Sequence, residues 1–172
     1  MELLPHPDTP GATVELIGTS IWQDKGQWHF RYLIEGTADL VLPNPEERGR
    51  ADGLWKTTCA EAFVGLSRGA YLEFNFSPSG KWAAYRFEGP RKGMRDEPAE
   101  IEVFIDLGED WLTIEAAVRC KALEPGMTLG LTAVIEEQGG VKSYWALKHL
   151  PGPPNFHERS CFAALLANIA AP

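Results

Sequence analysis

Apolar and polar residues alternate with a period of two along most of the chain, the spacing of strands with one face buried. The clearest run is residues 54–87, LWKTTCAEAFVGLSRGAYLEFNFSPSGKWAAYRF. Within it, residues 70–76 put Leu72, Phe74 and Phe76 on one side and Tyr71, Glu73 and Asn75 on the other. Residues 81–87 separate Tyr85 and Phe87 from Trp82, Ala84 and Arg86. Between these two runs, Ser77-Pro78-Ser79-Gly80 has proline at the second turn position and glycine at the fourth, which predicts a hairpin. Residues 59–66 read as a strand that is apolar on both faces except at Glu61.

The same alternation marks strands at residues 13–21, 28–35, 101–107, 111–118, 127–136 and 143–147, and a short apolar one at 38–42. Two polar, proline- and glycine-bearing connections, 43–53 and 88–98, interrupt the pattern. Pro151-Gly152-Pro153-Pro154 blocks regular structure outright. Residues 161–169 have helical spacing, with a last strand fraying after Ala164 as the alternative. The expected architecture is therefore all-β with little helix. Its expected form is a two-sheet antiparallel β-sandwich of jelly-roll or immunoglobulin-like topology. One domain over residues 1–172 is expected, led by an extended arm at 1–12 that holds three prolines. Leu72, Phe74, Phe76, Tyr85, Phe87, Ile105 and Ile114 are its expected core.

Composition narrows the function classes. Sixteen basic against 24 acidic residues give a net charge of −8, which argues against nucleic acid as a partner. The N-terminus, MELLPHPDTPG, lacks the basic start and apolar stretch of a signal peptide. No apolar run approaches the roughly 20 residues of a membrane span, so a cytoplasmic protein is expected. Cys59, Cys120 and Cys161 are odd in number and widely spaced, as free buried thiols are. No phosphate loop or zinc-protease motif is present, and no enzyme is expected. Glu61 and Glu73 are the carboxylates that a glycosidase reading would pair.

Glu61 carries the chemistry of the central run. A carboxylate among Cys59, Ala60, Ala62 and Phe63 needs a cation or hydrogen-bond donors. Arg86 is the nearest candidate, as a bidentate partner in a structural ion pair. The other reading makes Glu61 the polar floor of a ligand site, with Trp55 as its stacking wall. Trp55 followed by Glu61, with YLEFN and SPSGKWAAYRF, resembles the DOMON-like group of bacterial proteins, which is related to the family 9 carbohydrate-binding modules. The resemblance runs over residues 33–162, and is strongest at 54–87 and at 144–162, YWALKHLPGPPNFHERSCF.

That resemblance implies a β-sandwich that binds sugar or haem. Trp55 and Glu61 match by position the tryptophan and glutamate that hold the saccharide in the sugar-binding branch. The second tryptophan of that branch's clamp comes from late in the chain, where Trp145 is the only tryptophan. The acidic calcium clusters of some sugar-binding relatives are not recognisable. Aromatic faces stack on a pyranose while carboxylate, amide and guanidinium groups read its hydroxyls. Trp55, Glu61, Asn75, Trp82, Arg86, Trp145 and His157 are therefore the candidate ligand-binding residues. The haem branch implies Met94 or Met127 with His149 or His157 as axial ligands. A scaffold domain without a small ligand is the alternative from a different class. The oligomeric state is open.

Overall fold

The computed structural model describes residues 1–167. Its strands are β1 (Glu2–Pro5), β2 (Leu16–Asp24), β3 (Gln27–Glu35), β4 (Gly49–Arg50), β5 (Cys59–Gly65), β6 (Tyr71–Phe76) and β7 (Lys81–Phe87). They continue as β8 (Arg95–Asp96), β9 (Glu100–Leu107), β10 (Trp111–Arg119), β11 (Thr128–Glu137), β12 (Val141–Ala146) and β13 (Ala164–Leu165). Helix among the described residues is limited to four single 3-10 turns. The all-β expectation holds.

The strands form one sheet rather than the two expected. Its order is β4-β7-β6-β5-β11-β12-β1-β2-β3-β10-β9, with β8 on β7 and β13 on β11. The element that joins the halves is β1. Leu4 pairs with Ala146 of β12, while Glu2 and Leu3 pair with Gly18 and Ile17 of β2. The segment expected to be an arm thus carries a strand that bridges the sheet. The pairing is antiparallel except between β4 and β7, which makes the sheet mixed. It doubles over until it is nearly barrel-shaped. Phe30 of β3 stacks on Phe76 of β6 with ring centroids 5.8 Å apart, across the core that the two halves share.

The period-two pattern determines which side chains enter that core. Ala60, Ala62 and Val64 of β5, Leu72, Phe74 and Phe76 of β6, and Ile114 and Ala116 of β10 are all buried in it. Each large apolar side chain fully removed from water contributes about 1.5–3 kcal/mol. Tyr85 and Phe87 are buried too, but in a second cluster on the opposite face of the sheet, with Phe63, Tyr71 and Phe162. Ile105 corrects the expected core: it is 37 % exposed. It shares a face with Ile101 and Val103, but the outer half of β9 runs past the core along the sheet's edge.

Two further segments differ from expectation. Residues 38–42 form only a bridge, Leu40 to Glu137. β11 is covered by β5 as far as Val134, so only its last residues are free on that side. Val41 N–H donates to the Glu136 carbonyl there, at 2.7 Å. Residues 161–169 do not form a helix over their described part. A 3-10 turn at Arg159–Cys161 leads into β13, whose Ala164 pairs with Leu129. The end of that segment, residues 168 and 169, lies outside the described residues.

The β6–β7 hairpin forms as its turn residues dictate. Gly80 sits at φ 89°, a conformation that costs glycine nothing, and its N–H donates to the Ser77 carbonyl at 3.0 Å. This turn sets the register of the site. Phe76 pairs with Trp82 and Glu73 with Tyr85, so Glu73, Asn75 and Tyr85 share the face away from the main core.

Candidate ligand-binding site

On that face a cavity of about 390 Å³ opens. Glu61 and Phe63 of β5, Glu73 of β6, Phe87 of β7, Val134 of β11 and Tyr144 of β12 form its floor. Trp55, on the 3-10 turn Leu54–Lys56, stands at the rim and is 38 % exposed. Arg91 and Met94 of the loop after β7, and Pro154, Phe156 and His157 of the proline-blocked loop, complete the walls. The polar connection 88–98 and the proline-blocked loop thus both face this cavity.

The loops are tied down through Tyr71. Its hydroxyl accepts the Arg91 backbone N–H at 3.1 Å and lies 2.7 Å from His157 Nδ1. The second neighbour of Nδ1, Glu73 Oε2, is farther away at 3.8 Å. Burial pushes His157 down to about 4, with the Arg91 charge acting in the same direction. The ring is therefore neutral at pH 7, and its approach to Glu73 is not an ion pair. Phe63 and Phe87 hold it edge-on, at 5.5 and 5.4 Å between centroids.

Two buried carboxyls dominate the floor. Glu61 is 3 % exposed and Glu73 4 %. Thr132 Oγ1 donates to Glu61 Oε2 at 3.0 Å, and Asn75 Nδ2 donates to Glu73 Oε1 at 2.8 Å. Glu73 Oε2 and Asn75 Oδ1 are enclosed and have no hydrogen-bond partner among the described residues. Burial, and next the neighbouring Glu73, holds the Glu61 carboxyl well above the usual carboxylate range against the Thr132 hydrogen bond. Burial also pushes Glu73 up to about 7, opposed by the Asn75 amide and Arg91.

Glu137 shows the contrast. It is fully buried as well, yet its carboxylate accepts from the backbone N–H groups of Ala12, Thr13 and Val14 and from the Thr13 hydroxyl. Burial alone raises its pKa; these donors outweigh burial and hold it below the ordinary value. A carboxylate that is part of the scaffold is saturated with donors. The two in the cavity are not.

Of the seven residues picked from sequence, Trp55, Glu61 and His157 line the cavity. Asn75 lies out of the lining and holds Glu73. Trp82 packs against the main core on the other face of the sheet. Trp145 is 3 % exposed in that same core, its Nε1–H donating to Ser143 Oγ at 2.9 Å. Its neighbour Tyr144 is the β12 residue that reaches the cavity. Arg86 does not meet Glu61. It points to the opposite face and grips Glu97, with Nε at 2.7 Å and Nη2 at 3.0 Å from the two carboxylate oxygens. Alternation along β7 puts Tyr85, not Arg86, on the face of Glu61. Of the haem candidates, Met94 and His157 line the cavity, whereas Met127 packs against the main core and His149 Nε2 binds the Leu4 carbonyl. No group of three or more His, Cys, Asp or Glu residues suited to a metal ion occurs among the described residues.

The chain shares its fold with a solved protein. That structure is the crystal structure of a "putative carbohydrate-binding protein" from Bacteroides uniformis. It superposes with a TM-score of 0.60 over 92 % of this chain and 83 % of that one, at 14 % sequence identity. At this identity the likeness establishes the fold alone. No family profile and no curated protein matches the sequence.

Proposed function

We propose that the protein is a non-catalytic carbohydrate-binding domain, a DOMON-like relative of the family 9 modules whose doubled sheet works as a β-sandwich. The saccharide lies in the cavity against Trp55, with Glu61 and Glu73 reading its hydroxyls. The observation that carries this reading is the pairing of a rim tryptophan with two buried, under-satisfied carboxyls in one aromatic-lined cavity. Saturated polar groups have no use for a ligand; unsaturated ones gain hydrogen bonds from it. The shared fold with a protein described as carbohydrate-binding points the same way.

Titration calorimetry against a panel of mono- and oligosaccharides tests the proposal. Saturable binding is expected, weakened about tenfold or more by Trp55→Ala, in line with the roughly 1–3 kcal/mol that a stacked ring contributes at a buried contact. Trp82→Phe should bind normally. Binding indifferent to Trp55→Ala contradicts the proposal. So does turnover of a glycoside that vanishes in Glu61→Gln, which would make the two carboxyls an acid–base pair.

A haem site is the competing occupant of the same space, through Met94 and His157. The tight packing of His157 among Phe63, Phe87 and Tyr71 argues against it. The purified protein should be colourless and stay so with added haemin; a Soret band lost in His157→Ala overturns this expectation.

A further inference from the structure

Among the described residues no arginine or lysine forms an ion pair with Glu61 or Glu73, and Arg91 acts on Glu73 only from the cavity mouth. Arg86 is held by Glu97 on the opposite face. Arg50 is held by Asp52 and Asp96. His157 is neutral and shares a hydrogen bond with the Tyr71 hydroxyl. Arg91 is exposed at the mouth, where its Nη2 reaches Asn155 Oδ1 at 3.4 Å. The remaining titratable groups packed against the floor are Cys59 and Tyr32, both buried and uncharged, and Tyr85, which is bonded to Asp52. Glu73 Oε2 is enclosed and unpartnered while its residue lines the cavity. Trp55, Phe63, Phe87, Tyr144 and Phe156 surround the two acids with aromatic rings.

Acid oxygens inside an aromatic enclosure are the recognition chemistry of an organic cation. Carboxylates supply charge-assisted hydrogen bonds and rings supply cation–π attraction. We propose that the cavity selects an amino sugar with a free ammonium group, the ammonium seated at Glu61 and Glu73 and the pyranose ring against Trp55. The sugar part rests on the carbohydrate-binding reading above; the ammonium seat rests on the two carboxyls. An ammonium brings three donors to oxygens that lack partners, where a sugar hydroxyl brings one. It also removes the penalty on ionised acid in this place. Glu73, held at about 7 by burial, ionises at little cost once a cation stands beside it. The Arg91 charge at the mouth opposes entry of a cation, and ionisation of the acids as the ammonium seats has to offset it.

Calorimetry at pH 7 with glucosamine, glucose, N-acetylglucosamine and cyclohexylamine tests the inference on the wild type, Glu73→Gln and Glu61→Gln. Glucosamine should bind about tenfold or more tighter than glucose and N-acetylglucosamine, because only it offers a charge-assisted donor. The preference should shrink to about twofold in Glu73→Gln, which keeps the acceptor for Asn75 but not the charge. Glu61→Gln should reduce it in the same direction and serves if Glu73→Gln does not fold. Equal binding of glucose and glucosamine overturns the inference and leaves the carbohydrate reading standing. A preference unchanged in both variants also overturns it. Binding of cyclohexylamine without any sugar sustains the ammonium seat and overturns the carbohydrate reading. Absence of binding by all four overturns the ammonium seat.

Discussion

Glu73→Gln should make the protein more stable at pH 8 than the wild type, by roughly 3 kcal/mol. Burial raises this carboxyl from 4.5 to about 7. Between those values the folded chain keeps a proton that the unfolded chain releases. Wild-type stability therefore falls as pH rises through this window, and it is highest, as far as this group is concerned, below 4.5. Glutamine cannot ionise and still accepts from Asn75, so the variant loses the slope and matches the wild type near pH 4.5. Glu61 adds to the wild-type slope in the same direction, since its carboxyl is raised too. Urea denaturation at about pH 5 and pH 8 reads the effect. A slope unchanged by the substitution would show that Glu73 is ionised in the folded protein throughout. A destabilising buried acid that the fold does not need is the mark of a residue retained for another purpose.

Glu137→Gln should do the opposite and cost roughly 3 kcal/mol or more at pH 7, the scale of losing hydrogen bonds to a charged group and leaving a buried donor unmet. Oε1 accepts from Thr13 and Val14, while Oε2 accepts the Ala12 N–H at 2.7 Å. An amide turns an NH₂ group against one of these donors. The carboxyl's depressed pKa also gives the wild type stability that is present above 4.5 and lost as pH falls through the folded value. In thermal unfolding at pH 7 the variant should melt well below the wild type. A loss under about 1 kcal/mol would mean that the donors find water or other partners, and that Glu137 does not clamp residues 12–14.

The strands of the site were legible because their alternation is strict and their turn is specified by Pro78 and Gly80. The β7 range predicted from sequence is the one observed. The face assignment was legible in part. The alternation within each strand was read correctly, but combining strands needs the register, and a shift of one residue turns a side chain to the other face. Trp145 and Arg86 were lost that way. Their neighbours Tyr144 and Tyr85 lie on the face of Glu61. Given the hairpin, the pairing of Phe76 with Trp82 follows from a turn with Ser77 and Lys81 at its ends, and that pairing alone sets Arg86 on the face away from Glu73. Two features were not legible at all. The bridging role of β1 depends on contacts with Gly18 and Ala146, far away in sequence. Glu137 reads as the polar end of a strand, and nothing local announces that residues 12–14 bring it four donors. Arg91 and Phe156 escaped because their loops close on the cavity through tertiary contacts, chiefly the Tyr71 hydroxyl, and Tyr144 escaped with the register of β12.

The measurement that bears most directly on the cavity as a saccharide site is a ¹H–¹⁵N spectrum of the tryptophan indole groups during titration with a binding sugar. The chain has six tryptophans, and their placement makes them six reporters. The Trp55 indole should shift progressively and saturate with the ligand. The indoles of Trp145 and Trp28, each nearly sealed in the main core, should stay where they are, as should that of Trp82 on the opposite face of the sheet. Movement of the Trp82 or Trp145 signal with Trp55 silent would contradict the site described.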